Sequence, residues 1–577
     1  MPSELDRRMA ATMAAITAPA GMLPLGTAPS RFGIDLPVIT AAPPSLAHYI
    51  AHYCAEHADA TFLVAGEERL TFAQVHAHAR RVAHGLAARG IGRGDRVGIA
   101  MRNSPAWIAT YMGVLIAGGV ATLLNGWWQA DEMTAALREV RCALIVADGP
   151  RVARLGVVDG PPLIELDDTL PLDRAIAPLA GPAADGAGAL PGTMPGTLPE
   201  LGPDDWATIL FTSGSTGQSK GAISTHGAVL QAVLNYLAQA LVMVGLATAD
   251  GQPPTGQPST LLTVPLFHVT AEVPVFLQSF AMGRKLVLMP KWEAEAAMRL
   301  IEAERISYFV GVPLMSFEIL THPRRGDYDL SSVSDFAAGG APRPAEHVKR
   351  LHDEMGGPAP LIGYGLTETN AVGTGNWRTN YLAKPTSAGP PSAPLADLAI
   401  IADGRALPLG ARGEVGIRSA ANFAGYWDRP EATAAAFTAD GYFLTGDIGY
   451  LDEDGYLFIV DRKKDIIIRG GENISCQEVE AALYEHPGVR EAAVFALPDE
   501  RLGEVPGAVV LADGTDEAGL RAFLQQHLAA FKVPQRIWLA AAPLPRLGTE
   551  KIDKLALRED YRSVWAGEIA SRVTPSS

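Results

Sequence analysis

The chain has 577 residues, more than a single hydrophobic core accommodates, so two or more domains are expected. A balance of 48% hydrophobic and 19% charged residues excludes a disordered chain, and a net charge of -16 argues against a nucleic-acid-binding protein. The three cysteines, Cys54, Cys142 and Cys476, are too few and too far apart for a disulfide framework or a zinc site, and they fit a reducing cytoplasm.

Near the N-terminus, Arg7 and Arg8 precede a weak Ala-rich run, but Glu4 and Asp6 stand before them, so no signal peptide is predicted. From Asn103 to Ala130 no residue is charged, and Trp107–Trp128 has the length of a membrane span. Pro105 opens this stretch and Gly118-Gly119 divides it, which predicts a buried helix feeding a buried strand of an α/β sheet. Residues 178–204 are rich in Pro, Gly and Ala and read as a surface connection.

WATILF (206–211) has strand character, and FTSGSTGQSKG (211–221) follows at its C-terminal end, where ligands bind in open α/β sheets. Three readings of that loop compete. A P-loop requires a second glycine at position 219, which is Ser, and a hydroxyl residue after Lys220, which is Gly221. Gly217–Gly221 spells the G-x-S-x-G elbow around Ser219, but TSGST separates it from the strand and AISTHGAV does not begin as a helix. A flexible anion cradle remains, with converging backbone N–H groups, added hydroxyls and the Lys220 charge. A polar loop without chemistry is as compatible with this motif alone.

Strand-like runs recur at LLTVPLF (261–267), KLVLM (285–289), YFVGVP (308–313) and LADLAII (395–401), with a helical pattern at 293–305 between them. YLFIV (456–460) is followed by the charged knot DRKKD (461–465). Ser475 and Glu478 then spell a capping box, two strand-like runs follow, and Leu520, Phe523, Leu524, Leu528 and Phe531 recur at helical spacing before Pro534. This second part reads as a small α+β unit.

Further motifs stand in fixed order: PLFHV (265–269), GGAP (339–342), YGLTET (364–369), GE (413–414), YFLTGD (442–447), DRKKDIIIRGGEN (461–473) and LGTEKIDK (547–554). With TSGSTGQSKG they resemble the acyl-adenylating superfamily: acyl-CoA synthetases, firefly luciferase and peptide-synthetase adenylation domains. The resemblance runs from about Ser45 to Leu557 and is strongest to fatty-acyl and aryl CoA ligases. It implies an α/β fold: a large N-terminal domain of layered α/β sheets with a β-barrel-like subdomain (1–461), and a small mobile α+β domain (462–577) hinged near Lys464.

The implied activity is AMP-forming ligation of a carboxylic acid to coenzyme A, with ATP and Mg²⁺. Thr212, Ser213, Gly214, Ser215, Thr216, Gly217 and Lys220 would wrap the β- and γ-phosphates. Glu368, with Thr216, would hold Mg²⁺; a helix-capping carboxylate is the bland alternative. Gly340, Ala341 and Pro342 would form one wall for adenine and Tyr364, Gly365, Leu366 and Thr367 the other. Asp447 would accept from the ribose hydroxyls and Arg462 would reach the ribose or phosphate. Their alternatives are a turn residue and a solvated charge.

The resemblance makes Lys551 the adenylation lysine, a cation between carboxylate and α-phosphate. His268 would be the aromatic gate beside the acyl carboxylate, or else a satisfied core histidine. Lys464 marks the hinge, and Arg469–Gly471, with Gly470 and Gly471, would let a pantetheine arm pass. Three departures stand out: Ser219 for the usual proline, Glu550 for the glycine before the lysine, and Ser475-Cys476 for a Tyr-Pro pair. Glu550 would raise the pKa of Lys551 or draw it away.

Gly339, Gly340, Ala341 and Gly365, with Phe267 and Val269 nearby, suggest an open apolar tunnel for a medium or long fatty acid or a bulky aryl acid. The short stretch after Lys551 predicts a free thiol, coenzyme A, as acceptor; other thiols, and hydrolysis through Ser219, are the alternatives. No transmembrane span is expected. Peripheral membrane contact and a dimer stay open.

Overall fold

The computed structural model describes residues 2–156, 160–180, 199–212, 219–355, 359–463, 465–469, 472–547 and 551–573. The architecture is α/β. Two large, mostly parallel sheets enclose a shared helical layer. The seven-stranded sheet runs, in spatial order, Gly425–Tyr426, Gly221–Thr225, Trp206–Phe211, Val120–Leu123, Arg96–Ala100, Leu144–Asp148 and Leu163–Leu166. The eight-stranded sheet runs Thr374–Trp377, Ala359–Tyr364, Asp335–Ala338, Tyr308–Gly311, Ser259–Leu262, Lys285–Leu288, Thr61–Ala65 and Glu68–Thr71. Strands covered on both faces must be apolar throughout, which is why Val120–Leu123 and Leu144–Asp148 are buried at every position.

The uncharged stretch after Asn103 is a helix, Pro105–Ile116, capped by Ser104 and buried at every residue. Trp107 stacks on Tyr111, and Phe276 meets both rings edge-on. Fully burying each such ring contributes roughly 1.5–3 kcal/mol. Gly118 then turns the chain with φ +86°, a conformation glycine adopts without strain, into the strand Val120–Leu123. Among the described residues the helix long and apolar enough to cross a membrane is another one, His226–Ala249, two-thirds buried in its most apolar window and packed against Glu4–Thr17. Leu23, Ile39, Leu234, Leu237 and Leu395 join there in one apolar cluster.

The expected barrel-like subdomain is a five-stranded antiparallel sheet of Arg405–Ala406, Asp397–Ala402, Gly413–Arg418, Phe443–Leu451 and Leu457–Arg462. After it a further sheet begins at Ile467, with Val489–Asp499 and Gly503–Ala512 as its long hairpin. Helices Cys476–Tyr484 and Glu517–His527 pack on it around Ile467, Val479, Leu483, Leu520, Leu524 and Ile537, so this α+β unit has its own core.

Several boundaries differ from the sequence reading. The run at 261–267 is a strand only to Leu262, because Pro265 cannot donate to the ladder and the chain turns. Ser475 caps its helix by accepting from Glu478 N–H at 3.1 Å, but Glu478 does not reach back. Its carboxylate holds Lys532 at 2.5 Å instead. The last amphipathic helix stops at His527, and Leu528 and Phe531 reach the same core from the loop beyond it. Most of the connection at 178–204 lies outside the described residues.

Candidate active site

Residues from four segments converge beyond the C-terminal end of Ala359–Tyr364. The first pair is set by sheet register. Asp447 and Arg462 face each other on neighbouring antiparallel strands, and Arg462 Nε lies 2.6 Å from Asp447 Oδ1. The Tyr364 hydroxyl donates to Asp447 Oδ2 at 2.6 Å, and the Asp447 N–H donates to Thr445 Oγ1 at 3.1 Å. Asp447 is only 3% exposed. Burial raises its pKa despite Arg462 and the Tyr364 hydrogen bond. Each carboxylate oxygen keeps a second lone pair for a further donor.

Lys551 enters this site, and the Leu547 N–H donates to its carbonyl at 2.8 Å. It runs alongside Gly340, whose φ is +77°. A Cβ at Gly340 would lie 3.3 Å from Lys551 Cε and 3.7 Å from Nζ, so the glycine leaves room for the lysine stem as well as for the backbone turn. Burial, then the neighbouring Arg462 charge, lowers the Lys551 pKa to about 8, with Asp447 opposing. Glu550, expected to raise this pKa or draw the lysine away, lies outside the described residues.

His268 precedes the short helix Val269–Ala271. Burial, then Lys551, holds its pKa near 3, so the imidazole is neutral. Its Nε2 is shielded from solvent and has no hydrogen-bond partner. Several other buried histidine nitrogens, His226 Nε2 among them, share this state, so the position of His268 beside Lys551 is what marks it as a site candidate.

Glu368 sits on a single 3-10 turn, Thr367–Thr369, that follows Leu366 in extended conformation. It is 8% exposed, and Tyr426 donates to its Oε1 at 2.8 Å. Burial raises its pKa; the Tyr426 bond, Arg462 and Lys220 work against this. Among the described residues no cation lies within 4.0 Å of its carboxylate. A buried carboxylate lacking a cation fits a divalent metal site completed by phosphate oxygens.

Tyr426 is the residue the sequence reading missed. It orients Glu368, and Lys220 Nζ stands 4.8 Å above its ring. Its only signal was the pair Tyr426-Trp427, which reads equally as core.

Of the loop, Thr212, Ser219 and Lys220 are described; Ser213, Gly214, Ser215, Thr216 and Gly217 lie outside, as do Lys464, Gly470 and Gly471. Phe211 pairs with Gly221 and Thr212 N–H donates to the Lys220 carbonyl at 3.0 Å, so the strands on either side pair as an antiparallel hairpin. The Ser219 hydroxyl donates to the Thr212 carbonyl and closes the hairpin neck. A nucleophile elbow needs strand–serine–helix, and here a strand follows.

Ala341 continues the bend at Gly340 and Pro342 follows it, after a strand that pairs in parallel with the one ending at Tyr364. Gly365 does not line a tunnel: a Cβ there would lie 2.0 Å from the Ala371 carbonyl oxygen, so its missing side chain is filled by backbone. Phe267 and Val269 are buried in the main core. Gly339 faces Thr270, with Cγ2 3.7 Å from where its Cβ would be.

The AMP-binding enzyme family model matches residues 50–427, and the model of that enzyme's C-terminal domain matches residues 478–551. The chain belongs to the AMP-binding enzyme family. Among relatives, the feruloyl-CoA synthase of an Amycolatopsis species is 36% identical over 506 residues, covering 87% of this chain and 96% of that one. The long-chain-fatty-acid–CoA ligase FadD13 of Mycobacterium tuberculosis is 34% identical, covering 85% and 93%. Among solved structures, ATP-bound MatB from Rhodopseudomonas palustris superposes with a TM-score of 0.77 at 28% identity, covering 90% and 99%. As an AMP-binding enzyme with these relatives, the chain is an acid–thiol ligase.

Proposed function

We propose that the protein activates a medium- or long-chain fatty acid or a bulky aryl acid with ATP and transfers the acyl group to coenzyme A. The observation that carries this reading is the convergence of Lys551, Arg462 and neutral His268 beside buried Asp447 and Glu368. The substrates named for the relatives, feruloyl and long-chain fatty acyl groups, support bulky acids over acetate.

In the first step a carboxylate oxygen attacks the α-phosphorus of ATP. The bond to the bridging oxygen breaks and pyrophosphate leaves. Two anions must approach, and Lys551 and Arg462 offset their repulsion. His268 Nε2, in the tautomer that carries its proton, donates to the acid and orients it. Asp447 and Tyr364 hold the ribose and adenine. Glu368 would hold a divalent ion, which would supply charge neutralisation at the phosphates. In the second step a thiolate sulfur attacks the acyl carbonyl and AMP leaves. The residue assignments include Thr212 and Lys220 at the neck of the phosphate loop, and a hinge near Lys464 separating 1–461 from 462–577.

Two measurements check this. Acid-dependent AMP release over a panel from acetate to palmitate and cinnamates should appear with ATP and coenzyme A, and Ser219→Ala should keep most of it. Silence across the panel, or abolition by Ser219→Ala, sinks the ligase reading. The pH dependence follows from Lys551: its cation is present below about 8 and is lost above it. In kcat/KM for ATP, which reports the free enzyme, adenylation should therefore decline as pH rises through that value, and Lys551→Arg should shift the decline upward; an unmoved alkaline limb would assign it to another group.

A further inference from the structure

Beside the edge strand Gly425–Tyr426 lies a cavity of about 600 Å³, within the range of small-molecule sites. Phe32, Trp206, Ile223, Trp427 and Phe437 give it a mainly apolar lining, and Arg31 lines it as well. The Arg31 guanidinium lies 4.5 Å from the Phe437 ring centroid and 5.0 Å from that of Phe32, and it donates to the Ala424 carbonyl. Among the described residues no carboxylate lies within 4.0 Å of it. Asp428, the acidic residue on the same lining, is held 2.6 Å from Arg141. Trp206 is 41% exposed there, and Trp427 Nε1 is shielded without a hydrogen-bond partner.

We propose that this groove binds a carboxylic acid with an apolar body, its carboxylate on Arg31 and its chain along the aromatic walls. An uncompensated guanidinium beside apolar surface is complementary to an amphipathic anion, and its planar fork matches a carboxylate. One cation with an acidic neighbour favours a monoanion over a phosphate dianion. The groove is not the catalytic pocket: of the residues lining it, Tyr426 alone also touches the catalytic cluster. The acid thus has a second contact point, adjoining the tyrosine that orients Glu368.

The test uses the full chain and a diazirine analogue of decanoic acid, with the matching diazirine alcohol as control, followed by peptide mapping. Label should fall on peptides containing Arg31 and residues 424–437. Arg31→Met should cut that label about tenfold, as should Ala434→Trp, which fills the groove from an exposed position. Equal labelling by the alcohol, equal labelling of both variants and the parent, or label confined to other peptides overturns the proposal. Binding here requires no adenylation, so loss of ligase activity and loss of groove labelling are separate results.

Discussion

Lys551→Ala is expected to lower carboxylate-dependent ATP–pyrophosphate exchange about 100- to 1,000-fold while leaving thioester formation from supplied acyl-AMP within a few-fold of the parent. The split follows from where the charge is needed. In the exchange reaction an anionic carboxylate approaches an anionic phosphate, and the proposed place of Lys551, which lies against Gly340 near Arg462 and Asp447, is between them. Supplied acyl-AMP has already passed that step. The low pKa of Lys551 indicates a cation crowded by Arg462 and stripped of water, a state that a bound polyphosphate would relieve. Equal loss of both half-reactions would place Lys551 in general nucleotide binding instead.

Glu368→Gln is the second large effect, an expected fall of about 100-fold in adenylation with a raised Mg²⁺ requirement. The change keeps the side chain's volume and removes the charge that a metal ion would balance. Tyr426→Phe isolates the orienting bond: it removes only the donor to Oε1, at 2.8 Å, and should weaken the apparent Mg²⁺ affinity about 10-fold. Titrating Mg²⁺ at fixed ATP separates the two roles. If Glu368→Gln slows turnover without moving the Mg²⁺ midpoint, the carboxylate is structural. A Tyr426→Phe enzyme with an unchanged midpoint would leave that tyrosine a packing role.

The chemistry of this protein was legible in the sequence wherever it depended on local spacing. Covered strands announced themselves as apolar runs, because a strand buried on both faces has no polar position to spare. Pro105 and Ser475 marked helix starts, the proline by its fixed φ and the serine because its hydroxyl takes up a backbone N–H. The ordered motifs identified the family and, with it, Glu368, Asp447, Arg462 and Lys551 as the candidates for its site. Contacts between distant segments were not legible. The pairing of Asp447 with Arg462 depends on hairpin register, the closeness of Lys551 to Gly340 on how the last α+β unit meets the larger body, and the Tyr426–Glu368 bond on an edge strand two residues long. Gly365 shows the same limit in reverse: small residues in a motif suggest open space, but here a carbonyl from Ala371 occupies it. Periodicity thus indicated the layers and the ordered motifs the family, because both act within a few residues along the chain. Only the tertiary structure decided which charges meet, how far each pKa moves and which glycines leave room, because those depend on distances the chain closes through space.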